Sequence, residues 1–535
     1  MWEPPLIPLK KAELRAPPLR SPQADGGGNV KADRRSHYSA RDCNFAEAPY
    51  NYICNRLRSQ GDSVSKSALF VVAAATVALA PVSGNAQPVA ALPPPGSADA
   101  AALEQRIDAY LAPLLDTNNF SGVIFAARGD RVVLNKGYGL ASIEHSLRNG
   151  PDTVFHIASV SKPFTSAAIM LLQEDGKLDV RAPLRAILPD YPNGDKLTIH
   201  HLLSHTSGIP NVNDFSEYEE AQRRPHTPAD LVELFRARPL EFEPGAKYSY
   251  SNSNYNLLAL VIEKASGLAY GEFLEQRIFK PLGLSRTGHH GSAAQIVRNA
   301  ALGYAPAGAV GLERAPYIDW SVKSGNGSLY SDAAGVARFV RAAHKAQLLA
   351  PASMSATFAP HTANAGYGWF LTKANGRALH HANGRSPGFA AQADYYPDDD
   401  VTVVVLANTY VSVTTDIARA VGAHLFGLPA KPMPALKAQP LPGSAIAALT
   451  GKYQFGPDYY VPNALVTVTA KAGQLEAMVD NYGPYSLVPI TPTRFLMRSF
   501  WVPAEFALDE RGRARQMAID GIAGKRSDKP AAAAR

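Results

Sequence analysis

The sequence predicts an α+β fold: an antiparallel sheet flanked by helices, an all-helical region beside it, and a small C-terminal β-domain. Three features lead there. Paired β-patterned runs stand near both ends of a long central stretch, at 122–135 and 389–408. Helical periodicities lie between and around them. After a proline-rich interval at 428–443, the pattern changes to short β-rich runs broken by Gly, Pro and Asn.

The ends of the chain read differently from its middle. Residues 1–63 show no sustained apolar periodicity and hold both cysteines, Cys43 and Cys54. We expect them to be a non-native or disordered extension, with Val64 the true start. Residues 68–82 form an apolar run whose only polar member is Thr76, preceded by Lys66 and followed by Gly84-Asn85-Ala86. A comfortable membrane span needs about 20 residues, so 64–86 reads as a secretory signal cleaved after Ala86. A periplasmic or secreted protein without a stable transmembrane anchor is therefore expected. The Pro/Ala/Gly-rich stretch 87–99 reads as a flexible linker.

The main domain is expected over 100–427. Its first helix spans 100–115, with Leu103, Ile107, Leu111 and Leu114 on one face. Runs at 122–127 and 131–135, separated by Arg128-Gly129-Asp130, signal a hairpin. A helix begins near Ser159 and ends at Gly176. Thr227-Pro228 with Asp230 marks another helix start: a cap, a first-turn proline and an acid near the positive end of the dipole. Runs at 389–396 and 401–408 flank Pro397-Asp398-Asp399-Asp400 as a second hairpin, and 412–426 reads as a helix. Beyond the stiff linker 428–443, strands at 464–470, 495–498 and 506–509 point to a small barrel-like domain over 444–525, with 526–535 a disordered tail.

Composition narrows the function. A length of 535 residues implies more than one folded unit, and 46% hydrophobic with 19% charged residues describes a globular protein. The formal charge is +7, but the first 63 residues carry ten Lys or Arg against seven Asp or Glu. No basic cluster interleaved with aromatics follows them, so a nucleic-acid partner is not expected. A cysteine-free body excludes a Cys nucleophile and thiolate metal sites. The adjacent histidines at 200–201, 289–290 and 380–381 diverge on either a strand or a helix. They lack metal-ligand spacing, so no metal and no cofactor is implied.

The chemistry concentrates in two short segments. Ser159-Val160-Ser161-Lys162 enters an apolar helix. There a serine hydroxyl lies near the positive end of the helix dipole, and Lys162, three residues on, shares its face. A lysine whose pKa is depressed by burial can take the serine proton. The same tetrapeptide occurs at 63–66, so Ser-x-x-Lys alone proves little. The second segment, Tyr250-Ser251-Asn252, follows Pro244-Gly245 and leads into another apolar helix. Its phenol can shuttle protons, and its amide can orient Lys162 and a substrate carbonyl.

With these two motifs the chain resembles the serine β-lactamase and penicillin-binding-protein superfamily, in its class C β-lactamase, DD-peptidase and esterase branch. Further matches are Leu202-Leu203-Ser204-His205-Thr206-Ser207-Gly208, Phe279-Lys280-Pro281-Leu282-Gly283-Leu284, Gly366-Tyr367-Gly368-Trp369, and Leu329-Tyr330-Ser331 leading into Val336-Ala337-Arg338-Phe339. The resemblance covers roughly residues 100–427 and implies a β-lactamase/transpeptidase-like fold. It also implies an acyl-enzyme with Ser159 as nucleophile, Lys162 as its proton partner, Tyr250 as second acid/base and Asn252 orienting substrate. The Ser159 N–H would form half of the oxyanion hole. The substrate would be a small molecule or short peptide: a β-lactam, a D-amino-acid peptide or a small ester. The C-terminal β-domain resembles the lipocalin-like domains appended to some members.

The third family element, Lys or His followed by x-Gly on a strand beside the nucleophile, is spelled unusually here as His380-His381-Ala382-Asn383-Gly384-Arg385, with the glycine one residue late. His381 is expected to stand in for the Lys or His, with Gly384 or Arg385 supplying the second oxyanion N–H. A histidine is only partly charged near neutrality, so carboxylate recognition is expected to rest partly on Arg385. Two rival readings exist. Gly384-Arg385-Ser386-Pro387-Gly388 matches a nucleophile elbow, but Pro387 has no N–H to donate and a strand, not a helix, follows. The alternative to an enzyme is a penicillin-binding sensor or scaffold of the same fold that does not turn over.

Overall fold

Helix α1 (Ser97–Leu115) opens the described structure, and the face read from the sequence is the one it buries: Leu103, Ile107, Leu111 and Leu114 are at most 4% exposed. Burying four such side chains contributes roughly 2 kcal/mol each before the entropy of ordering them is counted. The structure, a computed structural model, describes residues 97–527 except 363, 412, 434, 435, 462 and 481. The expected extension, the signal segment, most of the 87–99 linker, both cysteines, the first Ser-Val-Ser-Lys and most of the tail lie outside the described residues. No helix among the described residues is long and apolar enough to cross a membrane.

The sheet is built from both expected hairpins. β1 (Gly122–Arg128) and β2 (Arg131–Tyr138) turn through Gly129, whose φ of 56° is one that glycine adopts without strain. β3 (Phe370–Ala374), β4 (Arg377–Ser386), β5 (Phe389–Tyr396) and β6 (Val401–Ala407) complete it in the order β3-β4-β5-β6-β1-β2. Every neighbouring pair is antiparallel. The two-residue alternation of a strand splits β1 between two cores. Val123, Phe125 and Ala127 face the helical region, while Ile124 and Ala126 face α1 and α5 (Thr414–Leu425). Burial on both faces explains why β6 reads as a near-continuous apolar run, while β5 carries the buried polar Gln392 and Asp394 among its apolar residues.

The helical region packs on the first of these faces. α2 (Ser161–Glu174) is buried from Ser161 through Leu172, and its stacked Phe164 meets Phe339 of α4 (Ala333–His344) with ring centroids 3.5 Å apart. α3 (Asn252–Ser266) lies against it. The short helix Pro228–Glu233 starts as its sequence predicts. The Thr227 side chain accepts from the Asp230 N–H, and the Asp230 carboxylate accepts from the Thr227 N–H.

The C-terminal strands, Gly451–Gln454 through Ile522–Arg526, form a closed eight-stranded antiparallel barrel. Its interior is filled by side chains such as Tyr453, Val466, Ala477 and Met517. Arg498, in the turn after the strand Arg494–Met497, fastens the barrel to the main domain. Its guanidinium donates to Asn119 Oδ1 at 2.6 Å and to the carbonyls of Gly311 (2.6 Å), Thr117 and Gly308 (both 3.1 Å), Asn118 (3.2 Å) and Ala307 (3.4 Å). It is fully buried, and burial pushes its pKa down to about 10, so it remains charged at neutral pH.

Candidate active site

The site forms where α2, α3 and β4 converge. Helix α2 begins at Ser161, two residues later than expected, because a 3₁₀ turn over Ala158–Val160 precedes it and carries Ser159. Ala158 within that turn has φ of 48°, a left-handed conformation uncommon away from glycine that marks a locally constrained backbone. The next layer is equally tight. A Cβ on Gly384 of β4 would lie 2.6 Å from both the Ser159 nitrogen and the Ile157 carbonyl oxygen. Only glycine permits this approach of the strand to the turn that carries Ser159.

Lys162, in the first turn of α2, is 3% exposed. Its Nζ lies 2.8 Å from Ser159 Oγ, 2.9 Å from Asn252 Oδ1 and 3.0 Å from the Asn326 carbonyl oxygen. The last two atoms can only accept, so each holds an N–H of Lys162. The remaining position points at the serine hydroxyl. Ser159 Oγ also sits 3.1 Å from Tyr250 OH. Lys162 Nζ lies 4.8 Å from the centre of the Tyr250 ring, within reach of its electron-rich face.

Asparagine 252 is the first residue of α3 and is fixed from two sides. Its N–H donates to Asn211 Oδ1 at 2.9 Å, and its Nδ2 donates to Asn213 Oδ1 at 3.1 Å. Those bonds turn Oδ1 toward Lys162. The Tyr250 ring stacks on His205 at 4.4 Å, and His205 Nδ1 accepts from the Ser251 N–H (3.2 Å) and from Asn254 Nδ2 (3.3 Å). A nitrogen that accepts is unprotonated, so the ring proton is on Nε2. Burial and the nearby Lys162 charge hold the His205 pKa well below the usual value, so the ring is neutral.

The four residues singled out first, Ser159, Lys162, Tyr250 and Asn252, are thus brought together. The third motif is not arranged as expected. His381 is 3% exposed, stacks on Phe370 at 5.3 Å and pairs in register with Asp394, whose carboxylate takes Arg419 of α5. It faces α5, on the side of the sheet away from Ser159, where burial and the Arg419 charge keep its pKa far below the usual value. The reason is register: Gly384 is fixed against Ser159, and the residue sharing its face is two positions back, which is Ala382. Ala382, not His381, lines the pocket. Arg385 is also corrected. Its Nη2 donates to the Ser499 carbonyl at 3.1 Å, and its guanidinium lies 4.0 Å from the Tyr410 ring and 4.8 Å from that of Phe500. Ser386 is 3% exposed at the end of β4, and β5 follows it instead of a helix.

β3 pairs only with residues 377–381 of β4, so 382–386 present an edge with no strand on the pocket side among the described residues. With Tyr248, Tyr250, Trp369 and Ala382 in its walls, the cleft holds about 330 Å³ of empty space open to solvent. Sequence reasoning gave no role to His205, although it stands in a quoted block. It also missed Asn326, which acts through a backbone carbonyl that any residue supplies.

A half-buried serine flanked by an amine and a phenol, at the mouth of a cleft under a sheet edge, is an arrangement suited to serine acyl transfer. Residues 107–427 match the family described as Beta-lactamase, more than half of the chain, and the chain belongs to that family, as a serine hydrolase by type. It is 28% identical over 436 residues to Penicillin-binding protein 4* of Bacillus subtilis (strain 168), covering 76% of this chain and 95% of that protein. The crystal structure of a penicillin-binding protein from Bacillus halodurans superposes with a TM-score of 0.53 and 28% identity, covering 59% of this chain and 98% of that one. The octameric penicillin-binding protein homologue from Pyrococcus abyssi shares the fold over 80% of this chain and 99% of its own, with a TM-score of 0.54 and 23% identity.

Proposed function

We propose that this is an exported serine hydrolase that opens an amide or ester through an acyl-enzyme on Ser159. The observation that carries the reading is Ser159 Oγ held between Lys162 Nζ at 2.8 Å and Tyr250 OH at 3.1 Å. Lys162, with two of its positions held by Asn252 and Asn326, takes the hydroxyl proton as Oγ bonds to the substrate carbonyl carbon. Tyr250 gives a proton to the departing amine or alcohol as the C–N or C–O bond breaks. The developing oxyanion is met by the Ser159 N–H, beside the positive end of α2, and by an N–H of Gly384 or Arg385 on the open edge of β4. Water then attacks the ester, the same groups run the proton transfers in reverse, and the acid product leaves with Ser159 restored. Export is supported by the apolar segment 68–82 with Lys66 before it and small residues after it.

A fluorophosphonate probe followed by peptide mass analysis tests the assignment. One adduct on the peptide containing Ser159, absent in Ser159→Ala, is expected. An adduct on Ser386, or one that survives Ser159→Ala, would overturn it.

A further inference from the structure

Cationic side chains are scarce in the lining of the cleft. Among the described residues, Lys162 is the one lysine or arginine lining the cleft. Its three positions are taken by Ser159, Asn252 and Asn326. His205 lines the cleft as a neutral ring whose Nδ1 is occupied by two donors. The side chain sharing the pocket face with Gly384 is the methyl of Ala382. His381 lies on the α5 side near Arg419, and the Arg385 guanidinium, which does not line the cleft, rests on two aromatic rings with Nη2 donating to Ser499, while its buried Nε and Nη1 have no hydrogen-bond partner among the described residues. The remaining wall is largely aromatic or apolar, including Tyr248, Trp369, Phe370 and Ala365.

A carboxylate placed beside the scissile bond would lose part of its hydration in this cleft and find no cation in its lining other than the already engaged Lys162, a poorly compensated cost. A neutral group there suffers no such loss. From this geometry we propose that the site selects acyl substrates without a carboxylate next to the scissile bond, namely neutral esters or amides, and discriminates against penicillin-like or peptide substrates that bear one. This rests on the acyl-enzyme reading above and names its substrate class.

Lys323 is a buried cation close to the Ser159 turn. It is 8% exposed, on the 3₁₀ turn Trp320–Lys323, and its Cδ lies 3.5 Å from where a Cβ on Gly327 would sit, a point equally close to the Ala158 carbonyl carbon. It does not line the cleft, but it is near enough to serve as a control.

The test uses the purified protein and matched pairs of p-nitrophenyl or anilide substrates. Within each pair the group beside the scissile bond is either a free carboxylate or its methyl ester, and labelling of Ser159 by fluorophosphonate is followed in parallel. We expect kcat/KM for the neutral member to exceed that of the carboxylate member by at least about tenfold, the scale of one unpaired charge in a partly buried site. Ala382→Lys should narrow or reverse that ratio, and Lys323→Met should leave it in place. Equal or better turnover of the carboxylate member by the wild type would overturn the proposal. A carboxylate preference abolished in Lys323→Met would do so as well and identify the cation that was overlooked. If Ala382→Lys does not fold, the wild-type ratio alone decides. Absence of both turnover and Ser159 labelling would instead break the acyl-enzyme reading and take this inference with it.

Discussion

Replacing Arg498 by Met keeps most of the side-chain stem but removes the cation that ties the barrel to the main domain. Six oxygens, five of them backbone carbonyls, lose their donor in one change. Each bond from a charged donor contributes about 1.5–3 kcal/mol in isolation, but bonds to one group are far from additive. Against the loss stands the desolvation of the guanidinium, seen in a pKa pushed down to about 10 from 12.5 and worth roughly 3 kcal/mol to the variant that no longer bears it. The difference leaves a net destabilisation of about 2–4 kcal/mol, within the range for stripping a partner from buried polar groups. Arg498→Lys should recover less than half, because three N–H groups on a point charge cannot serve six acceptors arranged around a planar fork. Urea unfolding, scored at its first transition since a chain of this size need not unfold in one step, measures the effect. Protease cutting between 428 and 443 reports undocking. An Arg498→Met protein within about 0.5 kcal/mol of wild type would refute the claim that this residue anchors the barrel.

Further outcomes follow from the site and from the buried imidazoles. Tyr250→Phe removes the phenol 3.1 Å from Ser159 Oγ and should slow acylation about a hundredfold or more while circular dichroism stays unchanged; rates within threefold of wild type would remove Tyr250 from proton transfer. Gly384→Ala forces a Cβ to 2.6 Å from Ser159 N, so labelling of Ser159 should fall at least about tenfold even where the fold survives, through displacement of the nucleophile turn. His344, with a pKa pushed down to about 3, and His289 and His380, at about 4, are held neutral chiefly by burial. Their protons bind only the unfolded chain between about pH 6.5 and 4, so the stability they contribute is complete above 6.5 and is lost as the pH falls through that window. A urea midpoint that is the same at pH 7 and pH 5 would contradict this.

Much of the architecture was legible because it is written locally. The α1 stripe and the Thr227 cap are one-turn patterns, and the hairpin around Gly129 needs only a turn residue between two apolar runs. The quartet Ser159, Lys162, Tyr250 and Asn252 was legible for the same reason: each pair lies within a few residues and opens a helix. The third motif failed on a single residue of register. On a strand, neighbours point to opposite faces, and what fixes the face here is the contact of Gly384 with Ser159 N, a pairing more than two hundred positions apart in sequence. Arg498 and the Asn326 carbonyl were invisible for another reason: all but one of their bonds run to or from the backbone, which every residue carries alike.

The open edge of β4 has a meaning for solubility as well as for chemistry. Unpaired strand edges are where folded chains stick to one another. This one is kept short, five residues from Ala382 to Ser386, bounded at one end by β3 and at the other by Arg385 laid on Phe500 and Ser499 of the barrel. The gap beside Ser159 is thus short, which limits pairing with a stray strand. Loosening the barrel would release Arg385 from Phe500 and Ser499 at this edge, so a variant weakened at Arg498 should be watched for aggregation as closely as for activity.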